Sequence, residues 1–288
     1  MIDPTKDVVI TGASTGIGRA CALHLDQLGW RVFAGVRKAA DGEALRAEAS
    51  GRLVPLMIDV TDARSIERAR EEVAAGTGQG GLWGLVNNAG VSVPAPLELV
   101  PLQEFREQLE VNVTGQLAVT QAFLPMLRSS GGRIVFMGSV LGRVSVPLLG
   151  AYCVSKYALE AMVDALRVEL LPWNIDVAIV EPGSVASRIW EKGHAAADVF
   201  EARLDARGHE LYGRAFRALR DSTKESEARG LPPVEVAKVV AHALSAKRPK
   251  TRYVVGTDAR IQIFLSAILS DRLWDRFLGR SMKLPGRP

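Results

Sequence analysis

Val8-Val9-Ile10-Thr11-Gly12-Ala13-Ser14-Thr15-Gly16-Ile17-Gly18 decides the fold. Three β-branched residues stop at a glycine-rich turn. From Ile17 the apolar side chains then recur at helical spacing through Cys21, Leu25 and Leu28, until Gly29 ends the run. A strand, a glycine turn and a helix in that order open a βαβ unit. Side chains at such a turn would block close approach of the backbone to an anion or force forbidden dihedrals. Gly12, Gly16 and Gly18 make room for it, with Ser14, Thr15 and Ile17 between them. The following helix directs free N–H groups and a partial positive charge at the same spot. The stretch predicts a cradle for the pyrophosphate of a dinucleotide.

Outward from this unit the rhythm repeats. Residues 31–36 read as a second strand, 45–49 as part of a short helix, and 53–58 as a third strand ending at Asp59. A helix over 65–75 leads to a strand at 85–86, closed by Asn87-Asn88-Ala89-Gly90. The second half predicts a long helix over 102–127, a strand over 133–137, a helix over 152–171 and a strand over 175–180 that stops at Glu181-Pro182-Gly183. An irregular segment, a helix near 234–244, a strand at 253–255 and a last helix from about Ala259 complete the chain. Strands alternate with helices and several are continuously apolar, so the sheet should be parallel and covered on both faces. The expected class is α/β: one domain over 1–288, a Rossmann-type doubly wound parallel sheet of about seven strands. Segment 185–230 is expected to form a substrate lid, and 259–288 a C-terminal helix and tail.

Composition narrows the function. The 288 residues are 48% apolar, enough for a real core, and the net charge of +4 comes from cations mixed with acids. No basic stripe exists that could neutralise phosphates in series, so nucleic acid is not an expected partner. Cys21 and Cys153 lie far apart in helical patterns and predict buried free thiols, as in a reducing compartment. His24, His194, His209 and His242 are scattered, and no metal is expected. The first residues lack the charged-then-apolar pattern of a signal peptide. The apolar run 261–270 has about half the length a bilayer-spanning helix needs. A cytoplasmic protein without a spanning segment is the expectation.

The end of the second strand bears on which dinucleotide is bound. A site selective for NAD usually places Asp or Glu there, to hold the ribose hydroxyls. Here the residues are Gly35-Val36-Arg37-Lys38. The Arg37 guanidinium can pair with a 2′-phosphate through two parallel hydrogen bonds, where a carboxylate would repel it. NADP(H) is the expected cofactor, with NAD(H) as the alternative.

Tyr152-Cys153-Val154-Ser155-Lys156 puts a phenol and an amine four residues apart in a helical pattern, so both can enter one cleft. A nearby ammonium favours phenolate and should lower the tyrosine pKa towards the working range. Thr11 to Gly18, Asn87 to Gly90, Asn112, Ser139, Tyr152 with Lys156, and Pro182-Gly183 together resemble, in order and spacing, the short-chain dehydrogenase/reductase family over roughly residues 7–256.

The resemblance implies a role for each position. Ser139, thirteen residues before Tyr152, would hold the substrate oxygen. Tyr152 would give a proton to a carbonyl or take one from an alcohol, and Lys156 would bind the nicotinamide ribose and hold the tyrosine pKa down. Asn112 would support a water chain to the lysine. Asp59 and Val60 would meet the adenine edge; Asn87 and Gly90 resemble the motif that steadies the central sheet and lets the adenine ribose approach, and Asn88 and Ala89 between them would also contact the cofactor. In Pro182-Gly183-Ser184-Val185-Ala186-Ser187 the nicotinamide carboxamide would meet the backbone at Val185, and Ser187 stands where the family often has threonine. Thr15 occupies a position that is basic in many NADP(H)-preferring relatives.

At the substrate end, Phe200, Leu204, Leu211, Tyr212, Ala215, Phe216 and Leu219 recur at helical spacing and predict an amphipathic lid helix. Arg203, Arg207, Arg214, Arg217 and Arg220 are expected to point away from its apolar face. Segment 140–149 is unusually apolar, which favours a bulky hydrophobic alcohol or ketone as substrate. This segment and 32–37 resemble the hydroxysteroid and retinol dehydrogenase branch of the family. The C-terminal helix carries Ile261, Phe264, Ile268, Leu273 and Phe277, with Arg272, Arg276 and Arg280 between them. It could cover the substrate cleft or rest on a membrane surface, and is expected to pack in the fold or in a homodimer or homotetramer. A non-catalytic NADP(H)-binding redox sensor on the same fold is the competing reading, because a fold alone never proves activity.

Overall fold

In the computed structural model seven parallel strands lie in the order β3-β2-β1-β4-β5-β6-β7. The structure describes residues 6–187, 189–281 and 284. Residues 1–5 and the rest of the expected tail beyond Ser281 lie outside the described residues. The first half runs β1 (Asp7–Ile10), α1 (Gly16–Gln27), β2 (Arg31–Val36), α2 (Ala39–Glu48), β3 (Leu53–Met57), α3 (Ala63–Thr77) and β4 (Gly84–Asn87). Then follow α4 (Leu102–Leu109), α5 (Gly115–Ser130), β5 (Arg133–Met137), α6 (Gly150–Glu169) and β6 (Asp176–Pro182). The last third holds α7 (Ile189–Ala202), α8 (Ala206–Arg229), α9 (Pro233–Ser245), β7 (Arg252–Val255), α10 (Thr257–Ile268) and α11 (Asp271–Ser281).

The continuous apolar strands are explained by burial on both faces. Val8 and Ile10 of β1 join a core with Cys21 and Leu25 of α1 and Val240 and Leu244 of α9. Val9, between them, points to the other face and packs with Phe123 of α5 and Leu159 and Val163 of α6. The period-2 alternation of a strand thus feeds two helical layers. The chain leaves β1 towards β2 and β3 on one side and continues at β4 on the other. The crevice between the carboxyl ends of β1 and β4 is therefore the topological switch point, where such sheets hold ligands.

Three elements differ from the sequence expectation. The long helix over 102–127 is two helices joined by a π turn at Glu110–Thr114, centred on the buried Asn112. A π turn inserts one residue into the helical ladder, which the 3.6-residue pattern of the flanks does not betray. The segment expected to form a lid holds two helices, α7 and α8, separated where the Asp205 side chain accepts the Gly208 N–H and caps α8. The C-terminal helix likewise breaks after Ile268 into α10 and α11. Among the described residues no helix is long and apolar enough to cross a membrane.

Candidate active site

At the end of β1 the chain turns through Gly12 and Gly16, both at positive φ (66° and 58°), a conformation that favours glycine. Gly18 is needed for a different reason. A Cβ there would lie 2.3 Å from the Gly12 carbonyl oxygen and 2.4 Å from the Asn88 amide nitrogen. The turn is locked to β4: Thr11 Oγ1 accepts the backbone N–H groups of Asn88 and Ala89, both at 3.0 Å, and Asn88 Nδ2 donates to Thr11 O at 2.9 Å. The Thr15 side chain does not cap α1, which leaves the first-turn N–H groups facing the turn for an anion. Ser187 sits opposite, 3.4 Å from where a Gly16 Cβ would be.

A cleft of about 1080 Å³ runs from this turn along the sheet end. Its wall includes Arg37 after β2 and Asp59 and Val60 after β3, then Gly90 after β4, Pro182 at the end of β6, and Gly183 and Val185 beyond it. Burial works against the Asp59 charge, yet hydrogen bonds from the Thr61 N–H and hydroxyl and the charge of Arg37 keep its pKa below the usual carboxylate range. Arg37 is exposed at the rim. Asn87 lies one step behind the cleft wall, buried, donating to Thr120 Oγ1 at 2.8 Å.

At the far end of the cleft Ser139, Tyr152 and Lys156 come together. Ser139 follows β5 in extended conformation, and its Oγ accepts the Leu141 N–H at 3.1 Å. It also hydrogen-bonds the Tyr152 phenol. Tyr152 and Lys156 lie one turn apart on α6, with Lys156 Nζ 5.5 Å from the centre of the tyrosine ring. The ammonium, only 3% exposed, donates to Met137 O at 2.8 Å.

Both groups are pushed towards their neutral forms. Burial raises the phenol to about 12, with Ser139 working the other way, and lowers Lys156 to about 8 against the pull of Glu160. For the phenol the largest influence is desolvation, opposed by the Ser139 hydroxyl, while the Lys156 ammonium is turned to Met137 O.

The Asn112 side chain is held entirely within the fold. Both of its amide hydrogens are committed, to Val91 O and to Ser155 Oγ, each at 2.9 Å, and its Oδ1 accepts the Val91 N–H at 2.8 Å. Ser155 Oγ in turn donates to Tyr152 O at 2.7 Å. The asparagine side chain thus ties the loop after β4 to the helical turn that carries the phenol.

The rest of the cleft is apolar where the sequence suggested. Val140, Leu141, Val146 and Leu149 line it, joined by Ala197 and Leu219 of the lid and by Trp274, Phe277 and Leu278 of α11. Val144 and Leu148 are buried instead, Val144 with Ala259 and Leu148 beneath the lid with Phe200 and Phe216. Leu211, expected on the apolar face, is exposed. Arg220 also departs from expectation: it lines the cleft and pairs with Asp198 at 2.6 Å and with Glu201, joining α8 to α7.

Sequence reasoning missed several lining groups. Asp258 of α10 accepts the Ser184 N–H at 2.8 Å and leaves no space for a Cβ at Gly183. Ser222, Thr223 and Ser226 of α8 reach the cleft, and only the sequence run through the lid offered any trace of them. Cys21 and Cys153 are free and buried, and burial raises both thiols.

A family model described as short chain dehydrogenase matches residues 6–197, more than half of the chain. Retinol dehydrogenase 16 of Homo sapiens is 39% identical over 261 residues, 89% of this chain and 82% of that protein. The 17-beta-hydroxysteroid dehydrogenase type 6 of Homo sapiens is 37% identical over 287 residues, covering 98% and 90%. The NADPH-dependent 3-dehydrocapnine reductase of Ornithobacterium rhinotracheale is 34% identical over 280 residues, 96% of each. Among solved structures, a short chain dehydrogenase from Burkholderia cenocepacia J2315 in complex with NADP has a TM-score of 0.70 at 26% identity, over 96% of this chain and 97% of that one. With a phenol, an amine and a hydroxyl at the end of a dinucleotide-shaped cleft, this chain belongs to the short-chain dehydrogenase/reductase family, in the retinol and hydroxysteroid dehydrogenase-like branch, and is an alcohol/carbonyl oxidoreductase.

Proposed function

We propose that the protein is an NADP(H)-dependent oxidoreductase that interconverts a primary or secondary alcohol and a carbonyl on a bulky apolar substrate of steroid, retinoid or lipid type. The observation that carries this reading is the meeting of Ser139, Tyr152 and Lys156 at one end of a cleft whose other end is the glycine turn. The residues fit the cofactor: the positive φ of Gly12 and Gly16, the bare wall at Gly18 and the open start of α1 suit a pyrophosphate. Arg37 would pair with a 2′-phosphate, Asp59 and Val60 would meet the adenine, and Asn88, Ala89 and Gly90 would flank its ribose. Pro182, Gly183, Val185 and Ser187, with Lys156, would hold the nicotinamide end. When bound, the nicotinamide supplies or accepts hydride at C4.

The chain's own part is proton transfer and positioning. At neutral pH Tyr152 is protonated, its pKa raised to about 12, and stands ready to donate to a carbonyl oxygen held by Ser139. The two hydroxyls stabilise the negative charge that develops on that oxygen. In the reverse direction Tyr152 takes the proton of an alcohol, and the Lys156 ammonium eases formation of phenolate. Asn112 acts through Ser155 to fix the turn on which the phenol stands. Segment 185–230, as α7 and α8, serves as the substrate lid. Val140, Leu141, Leu149 and Leu219 form the apolar wall that selects a bulky ligand.

Incubation with NADPH and a panel of apolar ketones, followed by absorbance, tests the reading. Turnover is expected with the bulkiest apolar members, and Tyr152→Phe should lower it by about 10²–10⁴-fold with cofactor binding retained. Cofactor binding without turnover of any ketone or alcohol would favour the redox sensor, and a fully active Tyr152→Phe would overturn the mechanism.

A further inference from the structure

One turn beyond Lys156 on α6, Glu160 sits in a buried charge cluster that the proposed chemistry leaves unused. Glu181 of β6 is fully buried, and neither of its carboxylate oxygens has a hydrogen-bond partner, nor has Oε1 of Glu160. Arg252 of β7 serves both: its Nε is 3.1 Å from Glu160 Oε2 and 3.4 Å from Glu181 Oε1, and its terminal nitrogen is 2.7 Å from Asp164 Oδ2. Arg143, from the turn after β5, approaches Glu181 at 3.5 Å, and Arg167 of α6 engages Asp164 at 2.5 Å. Around the Glu160 carboxylate stand Arg252 on β7, Glu181 on β6 and Arg143 on the loop, and its own helix carries Lys156 one turn before it and Asp164 one turn after.

In such a site each carboxylate charge is costly unless a cation answers it, and two carboxylates sharing Arg252 oppose one another. Burial first, and Glu181 second, raise Glu160 to about 7, with Arg252 and Arg143 pulling it down. Its charge in turn is the attraction that offsets the burial of the Lys156 ammonium.

We propose that Glu160 is a positioning residue for the Tyr152–Lys156 pair: its carboxylate, one helical turn behind the lysine and held by Arg252, keeps the ammonium charged where the phenol needs it. This inference rests on the reading above for its link to activity, but its first consequence concerns the lysine alone. Without Glu160 the amine loses its proton more readily, so it becomes reactive at lower pH. With less positive charge beside it the phenol ionises less readily, so alcohol oxidation rises only at higher pH.

Acetylation of Lys156 in the intact ligand-free protein by acetic anhydride, measured by peptide mass spectrometry across pH, reads the amine directly. In Glu160→Gln the midpoint is expected to fall by about half a pH unit or more, while the rising limb of the oxidation profile moves up. Glu181→Gln disturbs the same Arg252 cluster but frees Glu160 from its rival, so its amine midpoint should stay put or move up. If Glu160→Gln does not fold, Arg252→Gln, which strips Glu160 of its cation, should lower the midpoint in the same way. An unmoved midpoint in the folded variants, or an equal fall in Glu181→Gln, overturns the proposal. A shifted amine with an unshifted activity profile would instead indict the Tyr152–Lys156 mechanism and leave the inference about Glu160 standing.

Discussion

Lys156 shows what a single buried charge costs the fold. It is 3% exposed, with a carbonyl as hydrogen-bond partner and its pKa lowered from 10.5 to about 8, chiefly by desolvation. Between those two values the unfolded chain binds the proton and the folded one does not, so this group makes stability rise with pH from about 8 to 10.5. Tyr152, raised from 10.0 to about 12, acts oppositely: stability falls as pH climbs from 10 to 12. Urea unfolding of the ligand-free protein and of Lys156→Met across pH should therefore diverge. The wild type should gain on the order of 2 kcal/mol relative to the variant between pH 8 and 10.5. Parallel curves would show that the ammonium is solvated rather than buried.

At the scale of elements, the π turn and the helix pair α7 and α8 shape the cleft wall. The π turn brings Asn112 under the loop after β4, where its amide joins Val91 to Ser155 and so to the start of α6. The pair α7 and α8 shares an apolar cluster with Ala95 and Leu148 of the body, Phe200 stacked on Phe216 at 5.9 Å between ring centres. It is fastened to the body at Tyr212 to Glu98 and Arg203 to Glu104, each at 2.5 Å, and across its own halves by Arg220. The tyrosine hydrogen bond and the ion pairs are partly exposed and contribute little to global stability, about 0–1 kcal/mol each. Their effect should appear in closure instead. Arg220→Met is predicted to raise KM for an apolar ketone several-fold and to speed proteolytic nicking between α7 and α8, with the melting temperature almost unchanged. A lid that stays equally resistant in the variant would show that its apolar core alone holds it down.

For the whole molecule, loops from both halves of the sheet line one cleft, so a cofactor bound there as proposed should stabilise the whole fold. Saturation with NADPH at about 100 times Kd should add roughly 2.7 kcal/mol to unfolding. Thermal melting reads this directly, and Arg37→Ala should shrink the NADPH-induced rise while sparing that of NADH. An equal loss with both cofactors would place the 2′-phosphate contact elsewhere than Arg37.

The sequence by itself determined the strand-turn-helix start, the alternation of elements and the parallel sheet. Each of these is a local or periodic signal: glycines where φ is positive, apolar runs where both faces are covered, and a phenol and an amine spaced by one helical turn. It also marked Ser139, Tyr152, Lys156 and the glycine turn as residues bound for one cleft. Only the tertiary structure decided that Asn112 bends a helix, that Arg220 turns inward to join the lid helices, and that Asp258 fixes the loop after β6. It alone set Glu181 and Arg252 around Glu160, from strands far apart in the chain. Those arrangements depend on which distant groups are brought together in a dry interior, where hydrogen-bond partners and desolvation set a side chain's charge and direction, and no spacing along the chain records that.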